Sequence, residues 1–356
     1  MKVLAMYLPQ YHTFPENDEW WGKGYTEWTA VKRGKPLYSG HVQPRIPLNN
    51  NYYDLVNDGI NTWKWQASLA EEYGVYGYCI YQYWFSKEHR LMDRPMEILY
   101  ENPDIDVNYC ICWANESFTR TWYGLENKIL MEQIYGQEDE WRAHFEYNLK
   151  FFKDSRYIKI DNKPLFMIYK SQDIPCIYEM LEKFNQWAKE EGFSGIYVVS
   201  GITAGGRETR KNVADGCYYF EPGYTLKNDF SAIDRNIYNI KVFSNTILNK
   251  IRKNKKLERY IPVKKIYEGI ANREYQKNDI PCIFPDWDNT PRRSYKGLVY
   301  KGTSPELFEK YLNKLKEKNT EYVIVNAWNE WGEGAYLEPD ERNNYKYLEA
   351  IKRVFK

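Results

Sequence analysis

The segment Tyr322-Val323-Ile324-Val325-Asn326-Ala327-Trp328-Asn329-Glu330-Trp331-Gly332-Glu333-Gly334 decides the fold that we predict for this chain. It opens with apolar, mostly β-branched residues and no polar alternation, which is typical of a strand covered on both faces in a parallel sheet. Polar and aromatic side chains follow at once. Because ligands bind at the carboxyl ends of strands in α/β proteins, this strand is predicted to end at a binding site.

Two carboxylates in this segment, Glu330 and Glu333, lie among indole and amide side chains. Glycoside cleavage needs one group to protonate the leaving oxygen and a second group that acts as base or nucleophile. Burial against an indole raises a carboxyl pKa and amide hydrogen bonds lower it, so one neighbourhood can set both roles. The alternative is structural: the glutamates cap the next helix or bind arginine at the rim.

Seven further apolar runs are predicted as strands, at residues 3–8, 75–81, 107–112, 163–170, 196–200, 214–220 and 266–272. Helical spacing between and after them predicts helices at residues 61–73, 93–100, 138–152, 174–191, 304–318 and 340–355. Strands that alternate with helices in this way predict an α/β protein built as a single (β/α)8 barrel. A doubly wound open sheet is the alternative, but no Gly-x-Gly-x-x-Gly follows the first strand.

One domain is predicted over residues 1–356, since no linker rich in Ser, Gly or Pro divides the chain. A long loop insertion is expected at about residues 13–60, where Trp, Gly, Pro and Asn are frequent. Its many aromatic residues argue against disorder, so we expect it to roof part of a cleft.

The composition favours an uncharged partner. Lys and Arg total 50 against 49 Asp and Glu, a net charge of +1, so no overall field attracts nucleic acid or acidic lipid. The aromatic fraction is 17%, with 34 Tyr and 13 Trp, which suits sugar rings that carry both hydroxyls and C–H faces. The same residues also suit strands, and that alternative stays open. Basic residues 247–265 are interpreted as a solvated helix face or loop rather than a nucleic-acid site.

Several other features are expected to be absent. Six scattered cysteines in mostly apolar runs are interpreted as reduced core residues, and no His-rich or Asp-x-Asp cluster suggests a metal or other cofactor. No run of about 18 apolar residues occurs, which predicts no stable membrane insertion. The first residues do not resemble a signal peptide, so a cytoplasmic location is expected if this is the full gene product.

Polar and aromatic residues near the strand ends are predicted to converge on one substrate pocket. They are Tyr11, His12, Glu27, Trp28, Trp84, Trp113, Asn115, Glu116, Glu221, Trp287, Asp288, Arg292, Trp328, Asn329 and Trp331. Structural alternatives stay open for three of them. His12 could be a buried structural histidine, Glu116 could pair with Arg120, and Arg292, with its neighbour Arg293, could bridge Asp288 rather than bind a charged substituent.

Five ordered motifs resemble one family over nearly the whole chain. They are Tyr7-Leu8-Pro9-Gln10-Tyr11-His12, Tyr25-Thr26-Glu27-Trp28, Trp113-Ala114-Asn115-Glu116, Trp287-Asp288-Asn289-Thr290-Pro291-Arg292-Arg293 and Ala327-Trp328-Asn329-Glu330-Trp331-Gly332-Glu333-Gly334. The chain resembles the WbsX-like proteins, relatives of the glycoside hydrolase family 99 endo-α-mannosidases. The resemblance implies a (β/α)8 barrel that acts on glycans, often in O-antigen or capsule gene sets.

The resemblance also implies roles for the two glutamates. Glu330 would be the base that removes the proton of the sugar 2-hydroxyl, whose oxygen attacks C1 to form a 1,2-anhydro sugar. Glu333 would protonate the leaving oxygen and then activate water. The mannosidase motif has His where this chain has Gly332, so the sugar preference stays open.

Three functions are compatible with these features. Hydrolysis of an α-linked glycan is favoured, because no diphosphate site for a nucleotide sugar is evident. WbsX-like proteins are commonly described as glycosyltransferases, so transfer in bacterial polysaccharide synthesis is the alternative. A glycan-binding barrel without catalysis is the third. Apart from an oligosaccharide or polysaccharide substrate, no partner is predicted.

Overall fold

A computed structural model describes residues 1–119, 128–206, 213–253 and 255–356. Eight parallel strands form one sheet: β1 (Lys2–Tyr7), β2 (Val75–Ser86), β3 (Asn108–Trp113), β4 (Lys163–Ile168), β5 (Tyr197–Ile202), β6 (Gly216–Tyr219), β7 (Cys282–Ile283) and β8 (Tyr322–Val325). Their spatial order is β6-β5-β4-β3-β2-β1-β8-β7. The amide of Ile280, just before β7, donates to the carbonyl of Cys217 in β6 at 2.8 Å and brings the two edges together. The predicted α/β class and (β/α)8 barrel are confirmed.

The central strands are buried on both faces, as their unbroken apolar sequences predict. Strand β1 lies between β2 and β8, with Leu4 opposite Ile324 and Ala5 opposite both Val325 and Tyr78. All of β8 and all of β1 beyond its first residue are buried. This pairing fixes the direction in which the segment after β8 leaves the barrel, and that segment carries both glutamates.

The helices are α1 (Pro15–Trp21), α2 (Glu27–Lys32), α3 (Gly59–Tyr73), α4 (Arg94–Glu101), α5 (Glu138–Phe152), α6 (Ile177–Glu190), α7 (Ala232–Ile251), α8 (Val263–Asn272), α9 (Thr290–Arg293), α10 (Pro305–Lys316) and α11 (Lys346–Phe355). Five of the six predicted helices, α3–α6 and α10, match within three residues, whereas α11 begins six residues later than predicted, and α1, α2, α8 and α9 were not predicted as helices. In α10, Pro305 takes the first turn as predicted, and the Ser304 hydroxyl caps the helix by accepting from the amide of Leu307 at 3.2 Å. The sequence analysis did not predict α7.

The predicted seventh strand at residues 266–272 is wrong, because these residues belong to helix α8. Val263, Ile266, Tyr267, Ile270 and Ala271 are all buried, and spacings of three and four residues place them on one helix face. The observed β7 consists of only two residues, Cys282 and Ile283, and a strand this short does not form a recognisable apolar run.

Residues 13–60 are more ordered than the predicted loop. They contain α1, α2 and a single 3-10 turn at Leu48–Asn50. Thr26 and Thr29 form a reciprocal capping box at the start of α2. The segment is predicted to cover part of a cleft. Helix α2 is the part of it that carries the predicted site residue Glu27.

Short strands outside the barrel are His89–Leu91, Phe118–Thr119, Ile129–Met131, Lys159–Ile160, Arg259–Pro262, Leu298–Lys301, Asn329–Glu330 and Ala335–Tyr336. The pair Arg259–Pro262 and Leu298–Lys301 forms a small parallel ladder beside the barrel mouth. All six cysteines are free, and all of them except Cys176 are buried. In the described part of the chain, no helix combines the length and apolar character needed to cross a membrane.

Candidate active site

A cavity of about 380 Å³ lies at the carboxyl ends of the barrel strands. Its lining comes from β2, from the segments that follow β3, β4, β6, β7 and β8, and from the ladder beside the mouth: Tyr81, Tyr83, Ala114, Glu116, Tyr169, Phe220, Arg259, Trp287, Asn289, Arg292, Arg293, Leu298, Glu330 and Glu333. The size is that of an ordinary small-ligand site. Among the predicted site residues, the cavity brings together Glu116, Trp287, Arg292, Glu330 and Glu333.

Arg292 joins three glutamates at one wall of this cavity. Its Nη1 donates to Glu333 Oε1 at 3.1 Å, its Nη2 donates to Glu330 Oε2 at 3.3 Å, and its Nε donates to Glu27 Oε1 at 2.8 Å. Glu27 is fully buried, whereas the side chains of Glu330 and Glu333 are 12% and 23% exposed. Only the latter two carboxylates therefore face a bound ligand.

Burial raises the pKa of both Glu330 and Glu333 above the usual value for glutamate. The negative charge of Glu333 raises the pKa of Glu330 further, while the positive charge of Arg292 lowers the pKa of both. A pair of carboxylates that share one cation in a poorly hydrated site holds a proton near neutral pH. The site can therefore supply one acid and one base at the same time.

The backbone at Gly332 passes directly over the Glu27–Arg292 pair. A Cβ atom at Gly332 would lie 1.8 Å from Glu27 Oε1 and 2.7 Å from Arg292 Nε, so any side chain there would displace one or both of these groups. Gly334, two residues later, has φ +65°, a left-handed conformation that favours glycine, and packs against the amide of Asp288. Both glycines thus serve the packing beneath the glutamates.

The indoles of Trp328 and Trp331, predicted as sugar platforms, lie outside the cavity lining and pack in the core. The buried carboxylate of Glu338 accepts hydrogen bonds from Trp328 Nε1 at 3.0 Å, Trp331 Nε1 at 2.6 Å, Gln66 Nε2 at 2.7 Å and Tyr53 Oη at 3.1 Å. Burial raises the pKa of Glu338 and the four donated hydrogen bonds lower it. The net result is a pKa of about 7. Glu338 therefore holds both indoles, which fixes the segment that carries the catalytic candidates.

Asn329 and Tyr11 are also buried and fasten this segment to β1. Asn329 Oδ1 accepts from the amide of Leu8 at 2.8 Å, and its Nδ2 donates to the carbonyl of Leu8 at 3.0 Å. Tyr11 Oη donates to the carbonyl of Asn329 and accepts from the amide of Trp331 at 3.2 Å. These contacts position the segment between Glu330 and Glu333.

Three predicted residues near the ends of β2 and β3 make structural contacts instead of lining the cavity. Trp84 stacks on His144 with centroids 4.6 Å apart, and its backbone carbonyl accepts from Trp113 Nε1 at 2.9 Å. Asn115 exchanges two hydrogen bonds of 2.8 Å with the backbone of Lys170 and so joins the ends of β3 and β4. Glu116, which lines the cavity, forms an ion pair with Lys170. Its alternative partner Arg120 lies outside the described residues.

The carboxylate of Asp288 is buried and anchors the covering segment to the barrel. It accepts from His41 Nε2 and Gln43 Nε2, each at 2.7 Å, and from Thr290 Oγ1 at 2.6 Å. Burial alone would raise its pKa, but these hydrogen bonds and the charge of Arg45 hold the pKa of Asp288 below its usual value. The sequence left open whether Arg292 bridges Asp288. In the structure the guanidinium of Arg292 binds Glu27, Glu330 and Glu333.

The remaining predicted residues lie away from the cavity. Glu221 is fully buried, and its Oε1 accepts from Arg273 Nη2 at 2.9 Å. His12 is buried beside Phe14, and burial lowers its pKa. Trp28 lines a separate surface depression and donates from Nε1 to the carbonyl of Tyr53 at 2.8 Å.

Sequence reasoning missed most of the aromatic and cationic lining. Tyr81 and Tyr83 lie within a strand that was predicted to be covered, and Tyr169 and Phe220 directly follow β4 and β6. The place of these last two at strand ends could have identified them. Arg259 comes from a strand outside the barrel, which no periodic pattern indicated.

Trp287 is the cavity aromatic with an unused donor. Its indole is 8% exposed, and Nε1 has no hydrogen-bond partner among the described residues although it is buried. Buried donors in proteins nearly always have a partner. Nε1 would reach a sugar hydroxyl in the cavity only after the indole turns toward the ligand. In residues 1–119, 128–206, 213–253 and 255–356, no group of three or more His, Cys, Asp or Glu side chains is arranged to hold a metal ion.

Comparison with known proteins gives one family and several relatives. The model of the family described as glycosyltransferase WbsX matches residues 3–351. The chain is 31% identical over 362 aligned residues to the uncharacterized protein WxcX of Xanthomonas campestris pv. campestris, strain ATCC 33913, and equally identical to that of strain B100. The alignments cover 99% of this chain and 49% of each relative, so the chain spans about half the length of these relatives.

Solved structures with the same fold are glycoside hydrolases or similar to them. A glycoside hydrolase-like protein superposes with a TM-score of 0.59 at 15% identity and covers 100% of this chain and 94% of its own. The family 99 endo-α-mannosidase of Bacteroides thetaiotaomicron, in complex with bis-tris propane, gives 0.56 at 13% identity, with coverage of 99% and 94%. At these identities the likeness establishes the barrel fold.

Proposed function

Since the chain belongs to the WbsX glycosyltransferase family, we propose that it is a carbohydrate-active enzyme that cleaves an α-linked glycan with retention of configuration. The observation that carries this proposal is the pair Glu330 and Glu333, held by one guanidinium at the wall of a cavity at the barrel mouth. Both carboxylates are accessible from the cavity, and burial raises the pKa of each. Acid–base cleavage of a glycosidic bond requires at least two such carboxyl groups.

In the first step, Glu330 accepts the proton of the 2-hydroxyl while the 2-oxygen attacks C1. The bond from C1 to the leaving oxygen breaks, and Glu333 gives its proton to that oxygen. In the second step, Glu333 takes a proton from water, the water oxygen attacks C1, and Glu330 returns its proton to the 2-oxygen as the three-membered ring opens. Two inversions at C1 give net retention. A neighbouring hydroxyl is already at high effective concentration, so a base beside it is sufficient.

The assignment of base and acid follows the family pattern. The charge of Glu333 raises the pKa of Glu330, which favours a proton on Glu330 before substrate binds. The proposed first step requires the opposite placement, so substrate binding must transfer the proton within the pair. The pH profiles of two variants separate the roles: Glu330→Gln should lose the acidic limb of the profile and Glu333→Gln the basic limb.

A glycosyltransferase in bacterial O-antigen or capsular polysaccharide synthesis is the second candidate, favoured by the description of the family itself. The same cavity would then hold a sugar donor, and an acceptor hydroxyl would replace water in the second step. A barrel that binds glycans without catalysis is the third candidate. It would retain the cavity aromatics Tyr169, Phe220 and Trp287, and its function would not depend on the glutamate pair.

The three candidates differ in what the protein does to a panel of α-linked bacterial oligosaccharides, with and without nucleotide sugars, followed by mass spectrometry. Cleavage without a nucleotide, lost in Glu330→Gln and Glu333→Gln, is the expected result. Chain extension that requires a nucleotide sugar would replace hydrolysis by transfer. Binding without turnover, equal in the wild type and both variants, would make the chain a binding module.

A further inference from the structure

Acidic and basic side chains both line the cavity. Glu330 and Glu333 share Arg292 on one side, and Glu116 pairs with Lys170. Two more guanidinium groups, those of Arg259 and Arg293, also line the cavity, beside Asn289 and Leu298. Arg259 makes no side-chain hydrogen bond or ion pair with the residues that the structure describes.

We propose that Arg259 and Arg293 form a subsite for an anionic group of the substrate, either a sugar carboxylate or a phosphate ester. The proposal rests on the proposed function, because it gives the substrate class of the same cavity. A neutral glycan would leave the guanidinium group of Arg259 without a counter-charge. Guanidinium binds carboxylate and phosphate through paired donors, so both anions fit one subsite.

The small ladder beside the barrel mouth explains why the two arginines come together. Arg259 lies opposite Leu298 in that ladder, and Arg293 ends helix α9, a few residues before Leu298. Burial and the like charge of Arg259, together with that of Arg292, lower the pKa of Arg293, and the negative charge of Glu333 offsets part of this effect. An anion between Arg259 and Arg293 would relieve this repulsion.

Binding assays can test the subsite without any turnover. Isothermal titration of Glu333→Gln protein with methyl α-mannoside, methyl α-mannuronide and α-mannose 1-phosphate, whose 2-hydroxyl is trans to the anomeric oxygen, compares a neutral, a carboxylate and a phosphate probe. We expect at least one charged probe to bind about tenfold more tightly than the neutral one. The charged probe that binds more tightly than the neutral one shows whether the anion is a carboxylate or a phosphate.

The variant Arg259→Gln should remove most of that gain and weaken the binding of methyl α-mannoside much less. Arg142→Gln, an exposed arginine on α5 that pairs with Glu146, is the matched control and should keep the gain. Equal binding of charged and neutral probes by the parent protein, or an unchanged gain in Arg259→Gln, would contradict the subsite. An anion preference without glycan cleavage would contradict only the hydrolase.

A different observation supports a second inference. Helix α7 exposes a row of large apolar side chains: Ile233 (73% exposed), Ile237 (47%), Ile240 (64%), Phe243 (67%), Ile247 (45%) and Ile251 (77%). Spacings of three and four residues place them on one face. The opposite face binds the following segment, where Thr246 Oγ1 donates to Glu258 Oε2 at 2.9 Å and Asn249 Nδ2 donates to the Lys256 carbonyl at 2.7 Å. The apolar face is therefore turned away from the barrel.

We infer that this face of α7 docks on the surface of an anionic phospholipid bilayer. The end of the helix and the residues after it carry the cations Lys250, Arg252, Lys253, Lys255 and Lys256, which complement acidic headgroups. An apolar stripe with basic residues beside it is typical of helices that lie in a membrane interface. The segment that α7 braces leads directly to Arg259, so docking would place the cavity near the membrane surface.

Co-sedimentation with phosphatidylcholine vesicles, with and without phosphatidylglycerol, tests this inference on the whole chain. We expect binding only when phosphatidylglycerol is present, and a loss of about tenfold in the double variant Ile240→Asp, Phe243→Asp. Ile60→Asp, at an exposed isoleucine of α3, is the control and should bind like the wild type.

Two outcomes would contradict the docking of α7 on a membrane surface. The first is equal vesicle binding by the wild type and the double variant. The second is that the wild type does not bind vesicles but forms dimers, whereas the double variant is monomeric. A second copy of the chain would then cover this face. Circular dichroism of each variant checks that the barrel is folded.

Discussion

The backbone of Gly332 lies so close to Glu27 that a Cβ atom would stand 1.8 Å from Oε1. The two residues are far apart in the sequence, yet this contact sets the position of Arg292 and, through it, of both candidate catalytic glutamates. In the mannosidase motif that this chain resembles, His takes the place of Gly332. We infer that the lack of a Cβ atom at Gly332 leaves the space that the Glu27–Arg292 pair occupies.

Gly332→Ala should displace Glu27 or Arg292 and disturb the glutamate pair. Overpacking of a buried site typically costs about 1–3 kcal/mol, so we expect a lower melting temperature together with a loss of glycan cleavage. Gly223→Ala is the control, since the added methyl there would meet only Ala204 Cβ at 3.3 Å. Wild-type activity in Gly332→Ala would show that the Glu27–Arg292 contact does not matter.

Glu27→Gln should move the pH profile of cleavage toward lower pH. The negative charge of Glu27 raises the pKa of both Glu330 and Glu333. Its removal lets both carboxyls ionise more easily, so both limbs of the profile should shift by about one pH unit. Rates measured across the pH range on one α-linked substrate provide the test. A shift toward higher pH would contradict this electrostatic account.

Trp287→Phe should weaken glycan binding while the fold stays intact. Nε1 of Trp287 is buried and has no partner among the described residues, and we propose that the indole turns when a glycan binds so that Nε1 donates to a substrate hydroxyl. The variant removes this donor. Loss of one such hydrogen bond costs about 0.5–1.5 kcal/mol, or up to roughly tenfold in affinity. Trp84→Phe, outside the cavity, should leave the affinity unchanged. If the two variants bind alike, Trp287 does not donate to the glycan.

Glu338→Gln should change how stability depends on pH. Burial raises the pKa of Glu338 to about 7, so the folded state holds a proton that the unfolded state releases near pH 4.5. This contribution is fully present below the unfolded pKa and is lost as the pH rises through about 7. It amounts to about 3 kcal/mol across that window. The free energy of unfolding should therefore fall less from pH 5 to 8 in the variant than in the wild type.

Denaturant titrations of the wild type and Glu338→Gln at several pH values measure this difference. The variant should also be less stable at low pH, because its amide cannot accept from both indoles and from Gln66 and Tyr53 together. Identical pH dependence in the two proteins would show that Glu338 is ionised throughout the range.

Much of the fold was predictable because burial on both faces leaves an unmistakable apolar run. This held for β1 and β8, which lie next to each other in the barrel. It failed for β7, which is too short for any pattern, and residues 266–272 were mistaken for it although their spacing is helical. A short strand is specified by its neighbours, here β8 and Cys217 in β6, and these tertiary contacts cannot be recognised in the local sequence.

The site was predictable where chemistry and strand ends coincide, as for Glu330, Glu333 and Arg292. The direction of a side chain was not predictable. Trp328 and Trp331 follow the same strand end, but Glu338 draws both indoles into the core. A buried carboxylate that binds indoles has no local signature, and the same holds for Arg259, which reaches the cavity from outside the barrel.

The central claim is that Glu330 and Glu333 act as a pair on an α-glycosidic bond. The most direct test is the rate of cleavage of one α-linked oligosaccharide by the wild type, Glu330→Gln and Glu333→Gln, with the anomeric form of the first product followed by NMR. Glu116→Gln, at another carboxylate of the same cavity, is the matched control. We predict an α product and a loss of about a hundredfold or more in each of the two variants, with Glu116→Gln much less affected. A β product, or wild-type rates in either variant, would contradict the account.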